Sequence, residues 1–361
     1  MTLESVRADV LKKFGKESIS NINSAAEIDV ISSGSLLLDI ATGIGGLPRG
    51  RLVELYGRES SGKSTIALEA AKQCQEKGLA VLMLDYEHSF SSDYAERIGV
   101  DTSDNKFVLS QPETLEQGMK IAELFLAKPV VGLIVVDSLA AMVPESELNN
   151  EIGASNVAPQ ARAMSQVLRR FTHKIHESNT LVIFVNHIRD VIATLGRGQR
   201  RTTPGGSALK FYSSMRIELQ PIETTKEKAM DFMSGKDVDS PAGSKVKAFI
   251  VKNKMARPFR EGIFYLSPDA GLDEPRAVLD IAKTRGIITQ NGSRYVLPFQ
   301  SREGNKALNL GGQQAVLDYF KFNPDKYDVV LNEIKNLANE PSIDDNSASE
   351  QENEQEGEEN G

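Results

Sequence analysis

With 361 residues, 40% of them hydrophobic and 25% charged, the chain can bury one large core or two modest ones, which excludes a disordered or fibrous protein. The net charge of −8 is concentrated: residues 340–361 hold nine acids and no Lys or Arg, leaving the rest at +1 with room for basic patches. A single cysteine, Cys74, excludes an internal disulfide, and no apolar run reaches membrane-spanning length, so a cytoplasmic protein with no membrane partner is expected.

In chain order, residues 2–23 place Val6, Val10, Leu11 and Phe14 at helical spacing, predicting a small N-terminal helix. A glycine-rich turn, 43–50, leads into an apolar run at 51–56 that reads as a strand, and helix formers follow from Ile66 to Lys72. Apolar strand-length runs recur at 80–85, 130–137 and 181–186, separated by helical segments at 114–128 and 161–177. Near-continuous β-branched strands alternating with helices describe a parallel sheet covered on both faces. Past Gly206 come shorter β segments, 215–220 and 246–252. Helical segments at 277–285, 313–322 and 327–338 then suggest a smaller α+β domain, and the acidic, aromatic-free tail reads as disordered.

Between the first strand and its helix lies Gly57-Arg58-Glu59-Ser60-Ser61-Gly62-Lys63-Ser64. Strand, glycine loop, Lys-Ser and helix form the phosphate-cradling P-loop, in which backbone N–H groups and a helix N-terminus meet an anion. Lys63 is expected to bridge the outer phosphates and Ser64 to take one position on Mg²⁺. Asp137, ending the apolar run at 130–137, has the form of the acid that shares that ion. The carboxyl ends of such strands gather the chemistry, and Glu87 and Asn186-His187 lie there too. Glu87 is the candidate to polarise the attacking water, and His187 the candidate to sense the outermost phosphate.

Beyond His187, residues 188–204 carry Arg189, Arg197, Arg200 and Arg201 among glycines and threonines without apolar periodicity, reading as a mobile basic loop that a phosphate backbone orders. A second short-chained loop, 151–160, leads to Arg162. Two such loops on the catalytic edge favour a nucleic-acid face.

Ordered motifs along nearly the whole chain resemble the bacterial RecA recombinase family: 57–65, Asp85-Tyr86-Glu87-His88, Val135-Val136-Asp137-Ser138, Ser178-Asn179-Thr180-Leu181, 205–212, and Val251-Lys252-Asn253-Lys254 before Pro258-Phe259. The resemblance implies an α/β fold: a RecA-like P-loop NTPase core with a mostly parallel sheet covered by helices, a small N-terminal helix and a smaller α+β C-terminal domain. The implied division is an oligomerisation helix and linker (1–30), the ATPase core (31–263), a duplex-gathering domain (264–338) and the acidic tail (339–361). The implied activity is DNA-dependent ATP hydrolysis by a helical homo-oligomeric filament that forms on single-stranded DNA and pairs it with homologous duplex. ATP and Mg²⁺ are the implied cofactors. An SOS repressor, whose self-cleavage such filaments stimulate, and single-strand-binding or loader proteins are the further implied partners.

Residue by residue, the resemblance casts Glu87 as the base and Gly57, Arg58, Glu59, Ser60, Ser61, Gly62, Lys63, Ser64, Thr65 and Asp137 as the nucleotide and Mg²⁺ site, with Tyr94 stacking on adenine. Arg162, Ser165 and Arg169, with Gly205, Gly206 and Ser207, join the two loops in contacting DNA. Lys252 and Lys254 reach the γ-phosphate of a neighbouring subunit, and Lys210, Phe211 and Arg216 belong to the same seam. Lys283, Arg285, Arg294, Arg302 and Lys306 form the basic surface of the small domain. Three departures stand out: histidine at the sensor position 187, Ser91 in place of the acid expected near adenine, and a second basic loop one residue longer with extra arginine. Two other classes fit the P-loop: a regulatory scaffold without strand exchange, and a ring-shaped helicase-type motor, the latter disfavoured by the N-terminal helix and by Lys252-Asn253-Lys254.

Overall fold

The computed structural model describes residues 2–15, 18–19, 28–128, 130–148, 159–191, 200–230, 237–300 and 307–339. Helix α1 (Leu3–Phe14) starts at the Thr2 cap and has no buried residue. Strand β1 (Val30–Ile31), helix α2 (Leu36–Thr42) and strand β2 (Leu47–Pro48) lead into the core. There the chain alternates β3 (Leu52–Gly57), α3 (Lys63–Glu76), β4 (Ala80–Asp85), α4 (Ser92–Ile98), β5 (Phe107–Ser110), α5 (Leu115–Ala127) and β6 (Val131–Asp137). Helices α6 (Glu145–Leu148) and α7 (Pro159–Ser178) precede β7 (Leu181–His187). A ribbon of β8 (Arg189–Val191) and β9 (Arg200–Thr202), helix α8 (Ala208–Tyr212), and strands β10 (Met215–Met230), β11 (Asp237–Asn253), β12 (Glu261–Ser267) and β13 (Gly271–Leu272) follow. The small lobe comprises α9 (Glu274–Thr284), β14 (Thr289–Asn291), β15 (Arg294–Gln300), β16 (Ala307–Gly311), α10 (Gln313–Phe322) and α11 (Pro324–Asn339).

Nine strands form one sheet in the order β13-β12-β11-β10-β3-β7-β6-β4-β5. From β10 to β5 all neighbours run parallel, and the other edge is antiparallel. Alternation along each strand feeds two cores. Val81, Met83, Leu133 and Val135 face Ile66, Ala67 and Ala70 of α3. Their neighbours Leu82, Leu84, Ile134 and Val136 face Met119 of α5 and Met164, Leu168 and Phe171 of α7. The period-two pattern of buried strands thus covers both sheet faces with helices, as the sequence predicts. Cys74 lies buried in the first of these cores, where burial pushes its thiol up to about 12.

Three features differ from the sequence reading. The segments expected as short strands at 215–220 and 246–252 are parts of β10 and β11, which pair antiparallel through Met230 and Asp237. Apolar runs mark only the core ends of this hairpin, and backbone pairing carries the polar remainder. The expected boundary at 263/264 falls inside β12, which pairs with β11 from Ser244 to Phe249. The sheet ends at β13, and a separate core of Val278, Leu279, Ile288, Leu297, Val316 and Phe320 begins with α9. Leu36 and Ile40 of α2 pack against that core and join the lobes. Finally, the basic loop at 188–204 is paired at its ends, Arg189 opposite Thr202 and Val191 opposite Arg200. Residues 192–199, with Arg197, lie outside the described residues, as do 151–158, Arg302, Lys306 and the tail.

Candidate nucleotide-binding site

Strand β3 delivers the chain to Gly57, and α3 begins at Lys63. Between them Ser60 and Gly62 take φ of 57° and 85°, turning backbone N–H groups into one concavity. Gly62 is required twice over: its φ is left-handed, and a Cβ there would run into Leu266. A Cβ on Gly57 would meet Ser61 Oγ at 2.6 Å. Residues 59–65, Glu87 and His187 line a cavity of about 270 Å³. Lys63 is 5% exposed, and its Nζ donates to Arg58 O at 2.7 Å. Burial holds its pKa below the ordinary lysine value, against the pull of Asp137, Glu87 and Glu59. Ser61 Oγ, also on the cavity wall, is buried with no hydrogen-bond partner among the described residues. An ammonium turned onto its own loop and an unpartnered hydroxyl both fit a triphosphate seated here.

Parallel pairing brings the ends of β3, β7, β6 and β4 side by side, so Gly57, His187, Asp137 and Asp85 share one edge. Ser64 Oγ donates to Asp137 Oδ2 at 2.7 Å. Asp137 is 3% exposed, and its carboxyl is pushed up to about 6 by burial first, with Glu87 and Asp85 adding to it. Among the described residues no cluster of three or more His, Cys, Asp or Glu could hold a metal by itself. Two hard oxygens, Ser64 and Asp137, fit Mg²⁺ that completes its shell with phosphate and water. When bound, that ion supplies charge neutralisation at the phosphates.

Glu87 accepts a hydrogen bond from Ser138 Oγ, and its Oε1 lies 3.2 Å from His187 Nε2. Burial, then the Lys63 charge, hold the imidazole below its ordinary pKa, and Glu87 opposes them. Tyr94 OH and Thr65 Oγ1 are 2.9 Å apart, which sets the ring beside the start of α3, with Arg97 5.8 Å from its centroid. Ser91 caps α4 by accepting from Tyr94 N at 3.3 Å.

Other expected residues stand apart from this cavity within one chain. Lys252 Nζ donates to the carbonyls of Lys210 and Phe211 at 2.7 and 3.0 Å, and Phe211 itself is exposed. Lys254 lies beyond the end of β11, its backbone N–H on Ser214 O at 3.0 Å. Arg162 and Arg169 are exposed on α7 with Ser165 between them, opposite the buried Met164, Leu168 and Phe171. Gly205 and Gly206, with φ of 84° and 72°, follow β9, packed against Leu139 and the start of α7 at Ala161. Ser207 caps α8. In the small lobe Lys283 is engaged by Asp280 at 2.8 Å, while Arg285 and Arg294 are exposed.

Two residues escaped the sequence reading. Ser138, on Glu87, is visible only as the neighbour of Asp137. Glu54 hides inside the apolar run of β3, where it accepts from Asn186 Nδ2 at 3.0 Å and Arg216 Nε at 2.5 Å. A charge within a buried strand is the signal that would have found it.

Residues 1–273 match the RecA N-terminal domain family. Protein RecA of Leptospira meyeri is 38% identical over 345 residues, covering 95% of this chain and 84% of that one. Protein RecA of Acinetobacter baylyi is 40% identical over 324 residues, covering 89% and 87%. Among solved structures the RadB recombinase aligns with a TM-score of 0.49 at 18% identity, over 67% of this chain and 98% of that one, a likeness too distant to bear on function. On the family match and the identity to these relatives, the chain belongs to the RecA family.

Proposed function

We propose that this chain is an ATP-dependent homologous recombination and DNA repair protein. It polymerises as a helical filament on single-stranded DNA, pairs that strand with homologous duplex and hydrolyses ATP at the seams between subunits. The observation that carries the reading is the convergence of Lys63, Ser64, Glu87 and His187 on one cavity, with Asp137 hydrogen-bonded to Ser64, beside the basic ribbon that follows His187. Lys63 and the α3 N-terminus hold the outer phosphates, Ser64 and Asp137 hold Mg²⁺, and Glu87 orients the attacking water. Lys252 and Lys254, remote from the cavity of their own chain, act on the triphosphate of the next subunit, so turnover depends on assembly. The two loops and the exposed arginines of α7 bind the DNA backbone, and the small lobe gathers duplex.

The test is ATPase activity with and without single-stranded DNA, with negative-stain imaging of the same samples. DNA-stimulated turnover and helical filaments are expected. A chain that stays monomeric with ATP, Mg²⁺ and oligonucleotide, or that forms rings, overturns the reading.

A further inference from the structure

Glu54 is 0% exposed, and each of its carboxylate oxygens has a partner on a different strand. Oε1 accepts from Asn186 Nδ2 on β7 at 3.0 Å, and Oε2 accepts from Arg216 Nε on β10 at 2.5 Å. Asn186 is itself shared: its Nδ2 lies 3.3 Å from Pro204 O, at the foot of the basic ribbon, and its Oδ1 accepts from His187 N at 2.9 Å. Arg216 lies over the Tyr56 ring at 4.7 Å, and its charge, with that of Lys254, adds to burial in lowering the pKa of Lys252. One carboxylate therefore sits between the cavity-lining His187, the ribbon foot and the Arg216 edge.

Stability alone does not call for this arrangement. A buried ion pair is often no better than well-packed apolar side chains of similar volume, and the flanking Leu52, Val53 and Leu55 fill the core without one. What the pair adds is directional linkage: a shift of His187 moves Asn186, and Asn186 cannot move without disturbing both Pro204 and Glu54.

We propose that Glu54 is a positioning residue, coupling nucleotide occupancy beside His187 to the foot of the basic ribbon and to Arg216. The inference rests on the proposed function. Its measurable form is a coupling factor, the ratio of single-stranded DNA Kd without nucleotide to that with ATPγS, read by anisotropy on labelled oligo-dT. A merely structural role lowers both affinities together and leaves the ratio alone. Glu54→Asp keeps the charge but is one methylene too short to span both partners; its ratio should fall by about fivefold or more while the nucleotide-free Kd changes less than about twofold. Asn186→Ser, which leaves the Glu54–Arg216 pair intact, should lose the ratio similarly, so the test survives if one variant misfolds. Glu54→Gln and Arg216→Gln should be non-additive in the double variant. A wild-type ratio near one overturns the proposed function and this inference with it. A wild-type ratio retained in both Glu54→Asp and Asn186→Ser, or additive effects in the double variant, overturns the inference alone.

Discussion

His187 Nε2 lies 3.2 Å from Glu87 Oε1, so the cavity-lining side chain at the end of β7 touches the carboxylate that the proposed mechanism uses to orient water. Burial and Lys63 keep this imidazole below its ordinary pKa, hence neutral at physiological pH. Protonation at lower pH turns the contact into an ion pair and withdraws Glu87 from water. Turnover should therefore fall on the acid side of the ordinary histidine range, and His187→Gln should flatten that limb of the normalised profile. Asp137, raised to about 6, adds a second acid limb, but Mg²⁺ competes with that proton, so excess Mg²⁺ moves only the Asp137 component. An unchanged acid limb in His187→Gln at saturating Mg²⁺ would remove this role.

Lys63 and Glu87 should separate binding from chemistry. Lys63→Ala removes the buried ammonium of the loop, and equilibrium binding of a fluorescent ATP analogue should weaken by about a hundredfold or more. Glu87→Gln keeps the shape and the Ser138 contact, so ATP and DNA binding should persist while kcat drops by roughly 10² to 10⁴. Normal DNA-stimulated turnover in either variant refutes its assignment.

Much of this architecture is legible in the sequence because buried parallel strands and amphipathic helices leave strong periodic signals. Leu133 to Val136 read as a buried strand, and Met164, Leu168 and Phe171 mark the inner face of α7. The P-loop is equally plain, since a left-handed Gly62 and the Lys63-Ser64 pair are local features. Illegible were features defined by partners distant in sequence. Glu54 and Arg216 are 162 positions apart, and Glu87 and Ser138 are 51 apart. The β10–β11 hairpin past Pro221 is held by backbone pairing among polar residues, which no apolar period reports.

Arg162 and Arg169 are exposed on one helix whose opposite face is core, so replacing either should leave the fold intact. As phosphate contacts they should act without regard to base sequence. Arg162→Ala and Arg169→Ala are each expected to weaken single-stranded DNA binding uniformly and to reduce the log–log salt slope by about 0.7. A wild-type slope in both variants would assign the DNA face elsewhere.

Glu274 starts α9 in the small lobe and reaches back to the core, its Oε1 accepting from Leu36 N at 2.7 Å on the wall of an 800 Å³ cleft that Asp39 also lines. Burial pushes Glu274 up to about 7, with Asp39 and Glu69 adding like-charge repulsion, and burial raises Asp39 to about 6. Because both pKa values are raised in the folded state, the fold favours the protonated acids. That stability is complete below the unfolded carboxyl range and is lost as pH climbs through about 7. Glutamine can keep the Leu36 contact and cannot ionise. Glu274→Gln should therefore melt with wild type at about pH 3.5 and be more stable at about pH 8.5, by roughly 1–3 kcal/mol. Circular-dichroism melts across that range decide it, because parallel pH dependences in the two proteins would mean that Glu274 does not ionise inside the cleft.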